Sequence, residues 1–340
     1  MKKQTSLKAV LYYSLLIAVV LSAQVWGQES TRPGRSGRSG LYGDWQVKVD
    51  FNGRQSESIL SFSRDSEGNQ TGQWISFQGV SELKEVKFEE ENLSFVRESQ
   101  NREGETTTSK FTGTIKEGKI SGTLSSDRGE SKLEGTRSPR VPRAAGNWEM
   151  KQKMGEREIT GTLVIKADKE GNLTGEWKSE RGEHKITDLA YERGKVTFKR
   201  KSKMDDREWE STFEGNIEGD TLTGVFKSEQ GEITAEGKLA GAALIGTWNL
   251  EVASERGDRK QRLIVNPDMS GLYGALPLEK VNLEGDKVNF KAVMKFRDQE
   301  FEMSFEGKLE ESKLTGELTT SRGSQKVTGT KVVRRAGRRG

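Results

Sequence analysis

The chain has 340 residues, with 56 Lys or Arg, 52 Asp or Glu, one His and no Cys. The absence of cysteine excludes disulfides, thiolate metal sites and a cysteine nucleophile, and one histidine leaves little for zinc or triad chemistry. We therefore expect no enzyme, no metal site and no cofactor.

The N-terminus has the pattern of a secretory signal peptide. Lys2, Lys3 and Lys8 precede an apolar run over 9–23, which is short for a membrane span. We predict a cleaved signal peptide over 1–27, with retention of this segment as an anchor as the alternative, and no transmembrane segment in the mature protein. Because small secreted eukaryotic domains usually carry disulfides, we expect a bacterial protein that is secreted or periplasmic.

The net charge of +4 comes from the two ends of the chain. A predicted disordered basic linker over 28–42 and a basic tail over 334–340 are rich in arginine, whereas the chain between them is slightly acidic. Disordered tails are the interpretation we favour, and contact with an anionic envelope surface is the alternative. Since the acidic part has no basic stripe, we expect no nucleic-acid binding.

One pattern occurs three times and opens each time with Gly-x-Trp, at Trp45, Trp148 and Trp248. The copies begin 103 and then 100 residues apart, which is the size of a small domain and too long for a solenoid unit. The predicted domains are 43–138, 146–240 and 246–333. The third copy is eight residues shorter before Phe290, and we expect the missing residues to come from surface turns.

Within each copy, apolar and polar residues alternate, as they do at Trp248, Leu250 and Val252, which is typical of half-buried strands. Glycine-rich turn signals separate about eight strand-sized segments per copy. In the second copy the segments start near 146, 159, 172, 184, 194, 208, 221 and 232. The predicted fold class is all-β, with three tandem antiparallel up-and-down β-barrels of about eight short strands each. The alternative is three β-sandwiches.

Gly-x-Trp at the start of the first strand of an eight-stranded barrel resembles the lipocalin-like (calycin) superfamily. In that family the Trp packs across the closed end of the barrel, often against an Arg from the last strand. The resemblance implies that Trp45, Trp148 and Trp248 close their barrels. The residues at the late position of the three copies are Arg137, Leu239 and Lys331.

Trp74, Trp177 and Tyr273 stand two residues after a Gly on the third strand of each copy. They could line a barrel mouth and stack on a small apolar or saccharide ligand. Because an eight-stranded barrel is only just wide enough for its side chains, we favour packing in the core.

Catalytic signals are weak. His184 is the single histidine and occurs in one copy, so we interpret it as an incidental surface residue. Clusters of two or three acidic residues occur at Glu89–Glu91, Asp205–Asp206 and Glu310–Glu311, where solvation in turns explains them. The turn at Asp168 lacks the spaced acidic ligands of an EF-hand.

The sequence therefore favours an exported, non-catalytic envelope or extracellular binding or structural module, in which weak sites on linked domains act together. One alternative is a carrier of a small hydrophobic ligand, which needs an internal cavity near Leu60, Phe95 and Phe111. The other is a polysaccharide or lipid hydrolase, which needs two buried carboxylates facing a cleft.

Overall fold

The computed structural model describes residues 40–51, 53–100, 105–168, 170–180, 182–254, 257–296 and 299–332. The predicted signal peptide, the predicted basic tail and most of the predicted linker lie outside these ranges. Within them, every regular element is a β-strand, and no helix has the length and apolarity needed to cross a bilayer.

The strands form three consecutive sets of eight, as the sequence predicted. The first set is β1 (Gly43–Phe51), β2 (Arg54–Arg64), β3 (Gln70–Ser76), β4 (Gly79–Glu89), β5 (Asn92–Gln100), β6 (Thr106–Lys116), β7 (Lys119–Ser126) and β8 (Gly129–Arg137). The second is β9 (Gly146–Met154), β10 (Arg157–Ala167), β11 (Leu173–Lys178), β12 (Glu183–Glu192), β13 (Lys195–Met204), β14 (Arg207–Glu218), β15 (Thr221–Ser228) and β16 (Gly231–Leu239). The third is β17 (Gly246–Val252), β18 (Arg259–Val265), β19 (Gly271–Tyr273), β20 (Leu276–Glu284), β21 (Lys287–Phe296), β22 (Gln299–Glu310), β23 (Lys313–Thr320) and β24 (Gly323–Lys331).

Each set is an up-and-down barrel, and the sandwich alternative is excluded. The first and third are closed by antiparallel pairing of their first and last strands, β1 with β8 and β17 with β24. The middle set has the same circular order, but its sheet is not hydrogen-bonded between β11 and β12. The middle barrel is therefore nearly closed, with one unpaired seam.

A phenylalanine packed over two glycines fills the interior of each barrel. In the middle barrel Gly215 and Gly224 are paired across β14 and β15, and a Cβ on either would lie 2.6 or 2.5 Å from Cζ of Phe213. The ring takes the space that two side chains would need. The same arrangement holds Phe111 over Gly113 and Gly122, and Phe305 over Gly307 and Gly316.

The shorter third copy corrects one prediction. The β10–β11 and β18–β19 hairpins have turns of equal length, 168–172 and 266–270, but the latter has lost two residues from each strand. The β19–β20 hairpin is likewise two residues shorter on each strand than β3–β4. The prediction that the missing residues come from surface turns is therefore wrong, since they come from the strands. Loss in pairs keeps every remaining side chain on its own face of the sheet, because side chains alternate with a period of two.

The first barrel docks where the third is shortened. Nε2 of Gln261 donates to the carbonyl oxygens of Ser76 and Phe77 at 3.0 and 3.1 Å, and the Phe77 ring packs against the core of the third barrel. A Cβ at Gly274, in the short β19–β20 turn, would lie 2.4 Å from the Ser76 carbonyl oxygen. The full-length β3–β4 turn thus occupies the space left by the missing residues.

A partly buried ion pair holds the same two barrels together. Arg262 Nη1 and Nη2 donate to Asp44 Oδ1 and Oδ2 at 3.3 and 3.1 Å, and Ser61 Oγ donates to Oδ1 at 2.6 Å. The Arg262 side chain is 8% exposed and that of Asp44 is 27% exposed, so water screens the pair less than it screens a fully exposed one. All three barrels belong to one compact unit.

We expect Gly224→Val to lower the free energy of unfolding by about 1–3 kcal/mol, because the added side chain must displace the Glu214 carbonyl oxygen and the Phe213 ring. Denaturant unfolding of the full chain measures this. Thr223→Val, which places the same valine side chain at the exposed neighbouring position of the strand, is the control and should shift the value by no more than about 0.5 kcal/mol. Equal effects of the two changes would contradict this packing.

A double-mutant cycle tests the ion pair between the barrels. We expect Asp44→Ala and Arg262→Ala to show a coupling energy of about 0.5–3 kcal/mol, since each single change leaves the other charge partly buried. The exposed pair Lys291–Glu302, 2.8 Å apart, serves as control and should give less than about 1 kcal/mol. Denaturant unfolding gives both values, and zero coupling at Asp44 would show that the pair does not hold the barrels together.

Candidate functional site

The predicted barrel-closing tryptophans lie at matching positions. Nε1 of Trp45, Trp148 and Trp248 donates to the carbonyl oxygen four residues earlier, at 2.9, 2.9 and 2.8 Å. All three rings are buried. Each therefore ties the segment before its barrel to the end of that barrel, which makes these residues part of the scaffold.

The late positions pair with the tryptophans across the first and last strands. The Arg137 guanidinium lies 4.5 Å from the Trp45 ring centre, and Lys331 Nζ lies 5.6 Å from that of Trp248. Arg137 also donates to the carbonyl oxygens of Gly40 and Tyr42, and Lys331 to that of Ala243. A lysine thus takes the arginine's place in the third copy, and apolar Leu239 takes it in the second.

The three predicted ligand-stacking aromatics, Trp74, Trp177 and Tyr273, are buried in the cores of their barrels. Next to them the interior is full. Leu60, Phe95 and Phe111 are buried, and the two phenylalanine rings stack with centres 4.7 Å apart. A ligand inside the barrel at this level would have to displace the Phe111 ring from its glycines, so a site has to lie nearer the mouth.

The mouth of the middle barrel carries exposed apolar side chains. It exposes Ile159 and Met204, which are 43% and 41% exposed, and beside them Trp209 is half-buried. The middle barrel therefore presents an apolar rim that no other part of the described chain covers.

Below this rim lies Arg200, which is 7% exposed. Its guanidinium carbon is 4.5 Å from the Trp177 ring centre and 4.1 Å from that of Phe226, and the two rings are at right angles. Nη2 donates to Gln152 Oε1 at 3.2 Å. The cation is thus held in a corner between two aromatic rings, where its attraction to their faces offsets part of its desolvation.

Burial lowers the pKa of Arg200 to about 10, so the side chain remains charged at neutral pH. No acidic partner of Arg200 occurs among the described residues. Ser211 pairs with Arg200 across β13 and β14. The Nε of Arg200 and the Oγ of Ser211 are buried and have no hydrogen-bond partner among the described residues. These are the least satisfied polar groups of the middle barrel.

His184 joins strands across the unpaired seam. Its Nε2 lies 2.9 Å from Ser179 Oγ just after β11, and its Nδ1 lies 2.9 Å from Ser202 Oγ on β13. The histidine therefore links the two sides of the seam at the mouth and is not the incidental surface residue that the sequence suggested.

The acidic clusters lie in hairpin turns. Glu90, Glu91, Asp205 and Glu311 have positive φ angles and are exposed. Asn172 donates to Asp168, and this lowers the pKa of that carboxyl. No group of three or more potential metal ligands occurs in the described ranges.

Two grooves on the outside of the middle barrel have volumes of about 1310 and 470 Å³. They run between rows of opposite charges, such as Lys151–Glu158 at 3.3 Å and Lys201–Glu210 at 3.5 Å. Exposed pairs of this kind are worth little energetically, and they give the grooves no dominant charge that would select a ligand.

Sequence reasoning missed Arg200, Gln152 and Ser211. The signal was present in the alternation, since an arginine stands two residues after the core phenylalanine at Phe198–Arg200 and at Phe95–Arg97, on the inward face. Nothing in that spacing shows that Trp177 and Phe226 form the corner that holds the guanidinium.

No family model matches the chain, and no curated protein matches it. Similar solved structures include a candidate outer membrane protein of Bacteroides fragilis, with 11% identity, 86% of this chain and 98% of that chain covered, and a TM-score of 0.23. A protein of unknown function from Nostoc punctiforme has 12% identity, with 86% of this chain and 96% of that chain covered, and a TM-score of 0.20. A variant of transferrin binding protein B from Haemophilus parasuis has 10% identity, with 86% of this chain and 76% of that chain covered, and a TM-score of 0.20. Scores this low carry no information on what the chain binds; its class is the one defined by its fold, three tandem eight-stranded antiparallel barrels.

The buried charge leads to a prediction about stability. Even buried ion pairs can often be replaced by apolar side chains of similar volume with no loss or with a gain of about 1–4 kcal/mol. Arg200 has no acidic partner among the described residues to leave behind, so Arg200→Met should not lower the free energy of unfolding at pH 7. Because the folded-state pKa lies below the unfolded one, burial of the charge opposes folding at neutral pH, and this penalty fades as the pH rises above about 10.

The wild type should therefore gain stability relative to Arg200→Met between pH 9 and 11, as measured by urea unfolding. Exposed Arg207→Met is the control, and its difference from the wild type should not change with pH. A large loss of stability in Arg200→Met at pH 7 would show that the cation is structural.

Proposed function

We propose that the protein is an exported, non-catalytic binding module whose ligand site is the mouth of the middle barrel. The observation that carries this proposal is the combination of an exposed apolar rim, Ile159 and Met204, with the buried cation Arg200 beneath it. A chain selected for stability alone would bury the rim and replace the cation, as the apolar Ala292 of the third copy does at the same position.

The filled interior favours a mouth site over a deep carrier cavity. The stacked phenylalanines leave the barrel centre to the protein's own side chains, so a ligand would contact the rim and the layer of Trp177 below it. Since the third copy has Ala292 at the position of Arg200, and Arg97 of the first copy is more exposed than Arg200, one principal site is more consistent with the structure than three equivalent weak sites. The exposed acidic turns support binding without catalysis.

Export is proposed from the sequence of the N-terminus, which lies outside the described residues. Sequencing the N-terminus of the protein recovered from the culture medium or periplasm tests it. A start near residue 28 is expected, whereas an intact Met1 in the cytosolic fraction would contradict export.

The binding site is tested with the neutral apolar fluorophore N-phenyl-1-naphthylamine and the full chain. We expect saturable binding at one site and about tenfold weaker binding in Trp209→Ala, because a truncated aromatic anchor at a site commonly costs more than 1 kcal/mol. Thr107→Ala, at the same position in the first barrel, is the matched control and should bind like the wild type.

Native mass spectrometry of the purified protein checks the same site for a co-purified ligand. Equal binding by Trp209→Ala and Thr107→Ala, with no ligand retained by the wild type, would refute the mouth of the middle barrel as the site.

A further inference from the structure

We infer that Arg200 and Ser211 form a subsite for a carboxylate group in the middle barrel. The two residues are directly paired across β13 and β14, and both are more than nine-tenths buried. Arg200 Nε and Ser211 Oγ have no hydrogen-bond partner among the described residues. Two adjacent donors without an acceptor are what an anion requires.

The charge supports the same conclusion. Arg200 is buried and has no acidic partner in the described part of the chain, and its one described hydrogen bond goes to the neutral amide of Gln152. A buried charge that is not paired destabilises the folded chain, and an anion from outside would remove that penalty.

The shape of the space favours a carboxylate. Trp177 and Phe226 lie against the guanidinium at right angles to each other, so a ligand would have to approach the edge that carries the unpartnered Nε. A carboxylate is planar, and its two oxygens match two parallel N–H bonds along such an edge. The oxygens of a tetrahedral phosphate would project out of that plane toward the rings, in an interior only just wide enough for its side chains.

The other two barrels show which residues this fold accepts at the positions of Arg200 and Ser211. The first barrel has the same pair, Arg97 and Ser109, but Arg97 is more exposed. The third barrel has Ala292 and Met303 at these two positions and forms a closed barrel. Arg200→Ala combined with Ser211→Met therefore copies a pair that this fold already accommodates.

This inference rests on the proposed function and is tested on the full chain with three probes: benzoate, its neutral analogue benzamide, and phenylphosphonate. The readout is the ¹⁵N NMR signal of the Arg200 Nε–H, with tryptophan fluorescence as a second measure. We expect benzoate to shift this signal saturably and to bind at least tenfold more tightly than benzamide or phenylphosphonate.

Arg200→Met and the Arg200→Ala/Ser211→Met double variant should lose benzoate binding at least tenfold, while Arg97→Met should retain it. Circular dichroism and unfolding curves confirm that the variants fold. Tighter binding of phenylphosphonate would overturn the assignment to a carboxylate. Benzoate binding that is absent, or unchanged in the folded Arg200 variants, would overturn the subsite.

The two probes distinguish a failure of the proposed mouth site from a failure of the carboxylate subsite. If Trp209→Ala weakens the apolar fluorophore but Arg200→Met changes neither probe, the mouth remains a binding site and the carboxylate subsite is refuted. If the fluorophore does not bind while benzoate shifts the Arg200 signal, the subsite is upheld and the apolar rim is not part of a ligand site.

Discussion

The contact between one phenylalanine ring and two facing glycines sets the geometry of each barrel. A side chain on either glycine would collide with the ring and with a neighbouring carbonyl oxygen, as the 2.5 and 2.4 Å distances at Gly224 show. The missing side chains let neighbouring strands coil tightly, and the ring restores the apolar packing that the glycines cannot supply. Eight short strands can therefore close around an interior that one layer of aromatic rings fills.

This packing explains where the three copies are free to differ. The layer of Phe111, Phe213 and Phe305 cannot hold a ligand unless these rings leave the glycines on which they pack. One layer toward the mouth, the Arg–Ser pair of the first two copies is replaced by Ala292 and Met303 in the third. Binding chemistry is therefore confined to the layer between the aromatic plug and the rim, and there the middle barrel keeps a buried cation.

Much of the fold follows from the sequence, because its determinants are local. Glycines set the turns, and strict alternation places Trp45, Phe95 and Phe111 on one face, so eight strands per copy could be predicted. The surroundings of Arg200 could not, since they combine side chains from four strands, and alternation shows that a residue points inward but not what it meets there. The docking of the first barrel on the third was also hidden, because Asp44 and Arg262 are 218 residues apart and look like ordinary surface charges.

The deletions in the third copy connect fold and function. A hairpin that faces a core can lose residues only in pairs, because the loss of a single residue turns every following side chain to the wrong face. The loss of two residues from each strand shortened the β19–β20 hairpin of the third barrel, and Phe77 of the first barrel and Gln261 of the third fill the resulting gap. Ala292 and Met303 are buried in the core of that barrel, so the layer that holds the Arg–Ser pair in the other two copies is apolar there. In the middle barrel the same layer holds the buried cation Arg200 below the exposed Ile159 and Met204, where a ligand from solution would meet it.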